Sequence, residues 1–405
     1  MKIVIVGASA AGVTCLDTVV RFSPESHITV ISEEPYSPYC RCLLTYYLGG
    51  MLKEKQVLIR DAASYPANVH FLFGERVEKI DTAGKSAILS GCKEITYDKL
   101  LIATGSNPVR PEYYDEKKKT FTLRYMDDAK KIQPHLRSKA IVLGGGFVGI
   151  KAATGLTERN IAVTVVIGSR YPLSMIADEK TSLLVGKDLK EMGIDVRTGE
   201  DIADIKERNG SLRVSLSSGF ELDSDAIIVG KGVKPRIDLA KQAGIKTDMG
   251  ITVNEFLETS AEGVYAAGDC CETMDISRNK VWVNAIWPIA VEQGYCAALN
   301  MLGMGAPYPG SVGMNSLKTR AFHLIVAGVL KAGKGVSIFE KYISSTNQFR
   351  KLAVRDNVPV GMAFYNNPED AGVMTNLIKK GTPLNVDPAK IVSNEVSMMD
   401  ILKPL

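Results

Sequence analysis

Residues 2–12 read KIVIVGASAAG, an apolar run that ends in a glycine turn. The run is continuous from Ile3 to Val6, as a parallel strand buried on both faces requires. A helical pattern begins within the turn, and the start of such a helix offers free backbone N–H groups to a pyrophosphate. The stretch therefore predicts a dinucleotide site made of strand, glycine loop and helix.

The same pattern returns at residues 140–149, which read AIVLGGGFVG. This copy satisfies Gly-x-Gly-x-x-Gly between a strand and a helix. Its candidate contacts with a nucleotide are Gly144, Gly146, Phe147, Val148 and Gly149. One such fingerprint is a weak signal. Two of them in separate strand–helix units imply two dinucleotides held face to face, which is the arrangement of a hydride-transfer enzyme.

The composition is that of an ordinary globular enzyme of two or three domains. The chain has 405 residues, 45% of them hydrophobic and 23% charged, with a formal net charge of +4. This small charge gives no reason to expect nucleic acid as a partner. No apolar run reaches the roughly 18–20 residues of a membrane span, and the first strand starts at residue 2 without a leader. We therefore expect a cytoplasmic protein without a membrane association.

Cysteine and histidine usage excludes two further classes of site. The seven cysteines are scattered and contain no Cys-x-x-Cys, so neither a disulfide framework nor a thioredoxin-type dithiol is expected. The four histidines are dispersed, and we predict no metal site.

Short apolar runs alternate with helical patterns, which predicts an α/β fold. Strands are expected at 2–6, 28–32, 69–73, 99–103, 140–143, 162–167, 212–216, 226–229 and 262–266. Polar residues 113–120 are interpreted as a surface crossover between domains, and 305–310 as a linker. The segment after the linker has strand-like runs at 350–354 and 358–364 and a helical stretch near 369–380.

Two further features of the first unit point to FAD. Residues 32–34 read SEE and offer a carboxylate about 20 residues past the glycines, where an acid binds a ribose hydroxyl; Glu34 is the preferred candidate and Glu33 the alternate. Residues 264–270 read VYAAGDC, so a buried strand ends in Gly-Asp, and Asp269 can reach a ribitol hydroxyl. In the glycine loop, Ser9 replaces the usual middle glycine.

Together with residues 101–106, which read LIATGS, these motifs resemble the two-dinucleotide flavoprotein disulfide reductase superfamily over nearly all of residues 1–300. The resemblance implies two Rossmann-like domains, the FAD domain being split around an NAD(P) domain. We expect an FAD domain at 1–110 and 236–308, an NAD(P) domain at 111–235, and a small α+β partner or dimerisation domain at 309–405. The implied FAD contacts are Gly7, Ser9, Ala10, Ala11, Gly12, Glu33, Glu34, Val77, Ala103, Thr104, Gly105 and Asp269.

Residues 34–45, EPYSPYCRCLLT, resemble a stretch of rubredoxin reductases, oxygenase-coupled ferredoxin reductases and the flavin module of nitrite reductases. The match implies that Arg41 pairs with the FAD pyrophosphate, a bidentate role suited to guanidinium. It also implies that Arg124 contacts the flavin. Trp287, in a Trp-Pro…Gln-Gly stretch of the same group, lies either near the isoalloxazine or in the core. Tyr46 stands where ferredoxin reductases often have a lysine.

The second unit departs from its relatives in two ways. Lys151 stands where a glutamate is usual, and the ribose-binding acid of NAD sites is missing, with Ile167 in its expected place. Ser169 and Arg170 lie just beyond and could contact a 2′-phosphate, so NADPH is slightly favoured and use of both nucleotides stays open. Gly232 resembles the glycine turn that closes over the nicotinamide.

Cys42 raises an alternative. It can be laid over the redox cysteine of single-cysteine NADH oxidases, peroxidases and coenzyme A–disulfide reductases, although Leu43 and Thr45 replace the glycine and proline of that motif. Cys42 is therefore either inert, a contact with flavin or partner, or the catalytic thiol of an NAD(P)H-dependent thiol, CoA-disulfide or oxygen reductase.

The leading hypothesis is an FAD-dependent NAD(P)H oxidoreductase that exchanges electrons with an iron–sulfur or rubredoxin-like protein. Such a protein would act alone, as a homodimer, or as the flavin subunit of a hetero-oligomeric complex.

Overall fold

The computed structural model describes residues 1–208 and 210–402, and its elements fall into four successive stretches of the chain. The first contains β1 (Lys2–Val6), α1 (Ala10–Phe22), β2 (His27–Ser32), α2 (Leu44–Leu48), β3 (Val69–Phe73), β4 (Val77–Asp81), β5 (Ser86–Leu89), β6 (Glu94–Thr96), β7 (Lys99–Ile102) and β8 (Ser106–Pro108). The second contains β9 (Thr120–Thr122), α3 (Met126–Ile132), β10 (Lys139–Leu143), α4 (Phe147–Thr157), β11 (Ala162–Ile167), α5 (Glu179–Glu191), β12 (Asp195–Thr198), β13 (Ile202–Arg208), β14 (Ser211–Leu216), β15 (Glu221–Ser224) and β16 (Ala226–Val229).

The remaining elements complete both halves of the fold. The third stretch contains β17 (Val233–Pro235), α6 (Asp238–Gln242), β18 (Ile251–Thr252), β19 (Val264–Ala266), β20 (Cys271–Asp275), β21 (Lys280–Trp282) and α7 (Trp287–Met301). The fourth contains β22 (Met314–Lys318), β23 (His323–Gly328), β24 (Val336–Ile343), β25 (Gln348–Arg355), β26 (Val358–Tyr365), α8 (Ala371–Lys380), α9 (Pro388–Val392) and α10 (Met398–Leu402). Short 3₁₀ turns include Arg41–Leu43.

The first parallel sheet has the strand order β19-β7-β1-β2-β3. Its central strand β1 is buried from Ile3 to Val6, because α1 and α7 cover one face and the β4-β5-β6 sheet with α6 covers the other. Strand β19 comes from the third stretch, so the sheet is assembled from two parts of the chain. The helix that follows β1 packs closely on α7, where a Cβ on Gly294 would lie 2.3 Å from the carbonyl oxygen of Ala11.

The second parallel sheet has the order β12-β11-β10-β16-β9. Its edge strand β9 begins at Thr120, which is buried and pairs in register with Ile227 of β16. The polar segment 113–120, interpreted as a surface crossover, therefore ends inside this sheet. The expectation was wrong at that end because the pairing with β16 joins residues about 100 positions apart, which local polarity cannot show.

A two-stranded antiparallel ribbon connects the two sheet units, with β8 leaving the first unit and β17 returning to it. Two small antiparallel sheets, β4-β5-β6 and β13-β14-β15, and one mixed sheet, β18-β20-β21, extend the units.

The last stretch forms an antiparallel sheet in the order β22-β23-β26-β25-β24, with α8 packed on β26. This sheet is anchored on the second unit by polar contacts. Lys351, which is buried, donates to Asp178 at 2.8 Å, and the hydroxyl of Tyr365 donates to Asp188 of α5.

These sheets confirm the predicted fold class of two Rossmann-like units with an α+β C-terminal part, and the nine predicted strands all exist within two residues of their expected ends. The domain boundaries stay a prediction. Within residues 1–208 and 210–402, none of the helices has the length and hydropathy needed to cross a bilayer.

Candidate functional site

One cavity of about 1000 Å³ lies between the two parallel sheets and is lined by both glycine loops. Most of the residues predicted from the sequence line it: Gly7, Ser9, Ala10, Ala11, Glu33, Glu34, Arg41, Cys42, Val77, Ala103, Thr104, Gly105, Arg124, Gly144, Gly146, Phe147, Val148, Gly232, Asp269 and Trp287. Cavities of this size are at the upper end of the range for small-molecule and cofactor sites. The two nucleotide sites predicted from separate parts of the sequence therefore open into the same cavity.

Three predicted contacts lie outside this lining. A Cβ on Gly12 would meet the carbonyl oxygen of Gly7 at 1.9 Å, and a Cβ on Gly149 would meet that of Gly144 at 2.1 Å. Both glycines therefore serve the close packing of helix on loop, which is the usual role of the third glycine in this fingerprint. Arg170 is exposed at the surface beyond β11.

The first glycine loop presents the start of α1 to the cavity. Gly7 has φ +119°, and a Cβ there would lie 2.2 Å from the carbonyl oxygen of Ala103, so only glycine fits. Ser9 is the N-cap of α1, and its side chain makes no capping hydrogen bond. The first turn carries no acidic residue, so its free N–H groups can receive a pyrophosphate.

Glu34 and Arg41, expected to make separate contacts with FAD, form an ion pair at the cavity wall. The hydroxyl of Tyr39 donates to the other oxygen of Glu34, and Arg41 also donates to the backbone carbonyl of Arg124 at 3.1 Å. Glu33 instead pairs with Arg236 at the mouth of the cavity. These pairings could not be predicted from the sequence, because they depend on how the loop after β2 folds back.

Asp269 is the centre of a second polar cluster. Its Oδ2 accepts hydrogen bonds from Ser106 Oγ and Arg124 Nη2, both at 2.8 Å. The Nε of Arg124 is buried without a partner, which is the orphaned polar atom expected where a ligand completes a site. The backbone of Arg124 is itself held, since its N–H donates to Asp128 at 2.8 Å.

Gln293 fixes the turn that carries Asp269. This buried side chain accepts from the N–H of Gly268 at 2.8 Å and donates to Thr273 at 3.1 Å. It lies on α7, whose first residues, Trp287 and Pro288, line the cavity. The helix start therefore points its positive dipole end at the cavity, where it would stabilise negative charge.

The second loop follows the same design as the first. Gly144 has φ +118°, and a Cβ there would lie 2.4 Å from the carbonyl oxygen of Gly230. The side chain of Ile167 is buried against Gly145, where a Cβ would lie 2.7 Å from its Cδ1. Ile167 is thus a packing residue beneath the loop.

The hydrogen-bond register corrects the expected position of the missing acid. The N–H of Gly7 donates to Ile31 in the first unit, and that of Gly144 donates to Val166 in the second. Counting on from these partners, the positions of Glu33 and Glu34 correspond to Gly168 and Ser169. Ile167 therefore lies one residue before the position of Glu33 and two before that of Glu34, and Gly168 and Ser169 at those positions line the cavity.

The sequence did not predict two other parts of the cavity wall. Met314, Asn315 and Ser316 reach it from β22 of the C-terminal sheet, and Leu173–Ile176 reach it from the loop after β11. Met175 in this loop is 87% exposed. Leu173 has φ +56°, an unusual backbone conformation for a branched residue. The sequence around Leu173 does not predict this conformation.

The residues present fit FAD. The first loop offers a cradle that a single Cβ would fill, α1 offers unpaired N–H groups without a competing acid, and Arg124 offers an unsatisfied donor deep in the wall. The acidic pair at the end of β2 lies where a ribose is bound in such units.

Comparison with known proteins agrees with this geometry. A family model described as pyridine nucleotide-disulphide oxidoreductase matches residues 1–294. The chain belongs to this family. It is an oxidoreductase whose cofactors are FAD and NAD(P)H, as predicted.

Among curated relatives, the NADH-rubredoxin oxidoreductase of Clostridium acetobutylicum is 29% identical over 411 residues, covering 100% of this chain and 99% of the relative. The assimilatory nitrate reductase electron transfer subunit of Bacillus subtilis is 27% identical over 98% of this chain, which spans only 51% of that longer protein. Subunit epsilon of the NADH-dependent phenylglyoxylate dehydrogenase of Aromatoleum evansii is 27% identical, with coverages of 98% and 96%.

Two solved structures share the fold along the whole chain. A NAD-dependent persulfide reductase from A. fulgidus superposes with a TM-score of 0.88 at 26% identity, covering 98% of this chain and 83% of that one. The reductase in a covalent putidaredoxin reductase–putidaredoxin complex superposes with a TM-score of 0.91, covering 99% and 98%; at 24% identity it shows the fold alone.

Proposed function

We propose that this protein moves electrons between NAD(P)H and a one-electron iron–sulfur or rubredoxin-like protein, either as a free reductase or as the flavin subunit of a larger complex. Relatives that match over nearly their whole length support this proposal, since they are named as an NADH-rubredoxin oxidoreductase and a dehydrogenase subunit. The nitrate reductase relative is named as an electron transfer subunit.

The single observation that carries the proposal is the shared cavity. Both glycine loops line it, so two nucleotides bound at them face one another without an intervening wall. When bound, FAD supplies two-electron exchange with a nicotinamide and one-electron exchange with a metal centre. The protein contributes position and charge, because Asp269 and Arg124 form an ion pair in the lining of the shared cavity and the start of α7 favours an anion there.

We assign one binding role to each of the domains predicted from the sequence. Residues 1–110 and 236–308 would bind FAD, residues 111–235 would bind NAD(P)H, and residues 309–405 would receive the partner or form a dimer. The strand β22 supports the last assignment, because it brings the C-terminal sheet to the cavity wall. A cytoplasmic location suits the seven cysteines, all of which are free.

The test is a reductase assay on protein reconstituted with FAD under anaerobic conditions. NADH and NADPH are each titrated with ferricyanide as a general acceptor, and then with a purified rubredoxin and a [2Fe–2S] ferredoxin. The proposal expects a protein acceptor to be reduced at a rate similar to that of ferricyanide. Rapid ferricyanide reduction without transfer to either protein would contradict the assignment of the partner.

The alternative of a single catalytic thiol is weaker on the geometry. Cys42 lines the cavity, but its side chain hydrogen-bonds to Cys40, and this contact together with burial raises the pKa of Cys42. A lone redox cysteine needs a stabilised thiolate of its own. The fold shared with a NAD-dependent persulfide reductase at 26% identity makes a thiol reductase the second candidate function.

A further inference from the structure

Lys151 differs from the other cations that line the cavity, because it has no acidic partner. Each of the others has a carboxylate within 4.0 Å, and the pairs are Arg41–Glu34, Arg124–Asp269, Lys231–Asp201, Arg76–Glu33 and Arg236–Glu33. In the part of the chain that the structure describes, no carboxylate lies within 4.0 Å of the ammonium of Lys151. The cavity wall therefore carries a positive charge that no neighbouring acid neutralises.

The packing of two helices directs Lys151 towards the first unit. Helix α4 crosses α2 so closely that a Cβ on Gly155 would lie 3.0 Å from the carbonyl oxygen of Thr45. Lys151 precedes Gly155 by about one turn of α4, so the two residues lie on the same face of the helix. The Nζ of Lys151 lies 5.8 Å from the ring centre of Tyr46 on α2, within the range of a cation–π contact.

The ring of Tyr46 holds the ammonium without neutralising it. A carboxylate partner would cancel most of the field of Lys151 in the cavity, whereas an aromatic ring carries no net charge. Lys151 is also partly buried, and charges attract or repel each other more strongly in a partly buried site than in bulk water. The charge of Lys151 therefore acts on any charged ring that enters the cavity.

Hydride transfer would change the charges in this cavity. A hydride leaves NAD(P)H and joins FAD, so the nicotinamide ring gains one positive charge. The reduced flavin holds two electrons and one proton more than before and carries one negative charge, so the reaction balances without a further reactant. A fixed cation in the same cavity stabilises the reduced flavin and opposes the oxidised nicotinamide.

We propose that Lys151 is a counter-charge for the reduced flavin, which raises the reduction potential of bound FAD and weakens binding of NAD(P)⁺ relative to NAD(P)H. The proposal rests on the proposed function, because it requires FAD and the nicotinamide to meet in this cavity. It adds a charge from the second unit to the start of α7, whose dipole favours an anion from the first unit. Because the effect comes from charge, it should follow the sign of the side chain at position 151.

The first test measures the midpoint potential of bound FAD in the parent protein and in three variants, each saturated with FAD and equilibrated with a redox dye in the absence of nicotinamide. K151R keeps the charge and should keep the parent potential. K151M should lose at least about tenfold in the preference of the site for reduced over oxidised FAD, which lowers the potential by about 30 mV for a two-electron couple. K151E reverses the charge and should lower the potential further.

The control for this test is K190M. Lys190 is an exposed residue of α5 outside the cavity lining, so its replacement removes the same charge from the same unit and should leave the potential unchanged. A potential in K151M equal to that of the parent would overturn the proposal. A fall in K151R as large as that in K151M would also overturn it, because the shape of the side chain and not its charge would then set the potential.

The second test measures nicotinamide binding to the oxidised, FAD-loaded protein. NAD(P)⁺ is compared with its tetrahydro analogue, which has an uncharged ring, donates no hydride and keeps the same pyrophosphate and riboses. The ratio of the two dissociation constants therefore reports the charge of the ring. In K151M the dissociation constant of NAD(P)⁺ should fall at least about threefold relative to that of the analogue, because a like charge has been removed. An unchanged ratio in both K151M and K151E would refute the effect on the nicotinamide.

These outcomes can be told apart from a failure of the proposed function. The potential is measured without nicotinamide or protein acceptor, so it can follow the charge at position 151 even if neither a rubredoxin nor a ferredoxin is reduced. Conversely, the parent protein can reduce an iron–sulfur protein with NAD(P)H while K151M keeps the parent potential and the parent binding ratio. That result would refute the role of Lys151 and leave electron transfer intact.

Discussion

The carboxylate of Asp269 joins three separate parts of the chain at the cavity. It accepts from Ser106 after β7 and from Arg124 before α3, and its own turn is held by Gln293 of α7. Replacing a charged residue in a buried hydrogen-bonded cluster costs more free energy than the hydrogen bond itself contributes, because the partner is left without a hydrogen bond. Arg124 already has one buried nitrogen without a partner.

We therefore predict that Asp269→Ala weakens retention of FAD, and that Arg41→Ala does the same by releasing Glu34. A charge-assisted hydrogen bond contributes about 1.5–3 kcal/mol, which corresponds to an increase of about 10–150-fold in the dissociation constant. Equilibrium titration of the apoprotein with FAD measures the change. Asp17→Ala is the matched control, since Asp17 pairs with Arg60 in an exposed ion pair outside the cavity lining. Equal affinity in Asp269→Ala and Asp17→Ala would contradict a role for Asp269.

Gly168 offers a second test at this scale. It lines the cavity at the position that corresponds to Glu33, and a Cβ there would meet only the carbonyl oxygen of Glu200 at 3.9 Å. Gly168→Asp should lower the ratio of kcat/KM for NADPH over NADH at least about tenfold, because a carboxylate binds ribose hydroxyls and repels a 2′-phosphate. Gly168→Asn, of the same size without the charge, is the control. If both variants shift the ratio equally, size and not charge selects the nucleotide.

The role of Arg170 is settled by the same assay. If Arg170 contacts the 2′-phosphate of NADPH, Arg170→Ala should lower the ratio of kcat/KM for NADPH over NADH. A parent ratio well below one that Arg170→Ala leaves unchanged shows that this residue does not select the nucleotide.

At the level of elements, α1 and α7 cross in close contact, and this crossing brings Gln293 and the start of α7 to the cavity. Gly294→Ala forces a methyl group to within 2.3 Å of the Ala11 carbonyl. We predict a loss of about 1–3 kcal/mol in the free energy of unfolding, the usual cost of overpacking, measured by urea denaturation. Gly372→Ala in α8, where a Cβ meets nothing within 4 Å, should leave stability unchanged or slightly raise it. A stable Gly294→Ala variant would mean that the two helices can separate.

Some elements could be predicted from the local sequence pattern, and others could not. Buried parallel strands such as β1 and β10 were predicted nearly residue by residue, because a run buried on both faces has its own pattern. Strand β9 was missed, since it owes its structure to pairing with a distant strand. The lining from Met314–Ser316 could not be predicted either, because it depends on how a separate sheet docks.

For the molecule as a whole, the attachment of the C-terminal sheet decides whether the cavity wall is complete. Lys351 is buried between Asp178 at 2.8 Å and Glu340 at 3.3 Å. Lys351→Met leaves Asp178 without its cation, whereas Glu340 keeps Lys180 at 2.8 Å, and breaking a buried pair costs about 3–5 kcal/mol. We predict a loss of that order in unfolding free energy. Lys187→Met, which removes an exposed pair with Glu191 at 3.7 Å, should change stability by less than about 0.5 kcal/mol. Similar values for both variants would show that the sheet is held by its apolar contacts alone.

The ribbon of β8 and β17 has a mechanical consequence for exchange of the nicotinamide. It ties the second unit to the first at one end, while α2 lies against α4 so closely that a Cβ on Gly49 would be 2.9 Å from the carbonyl oxygen of Gly155. The C-terminal sheet adds a third attachment through Tyr365 and Asp188. Three attachments oppose rotation of the second unit against the first. We therefore expect exchange of the dinucleotide to depend on the loop Leu173–Ile176, which lines the cavity and carries the exposed Met175, rather than on separation of the two units.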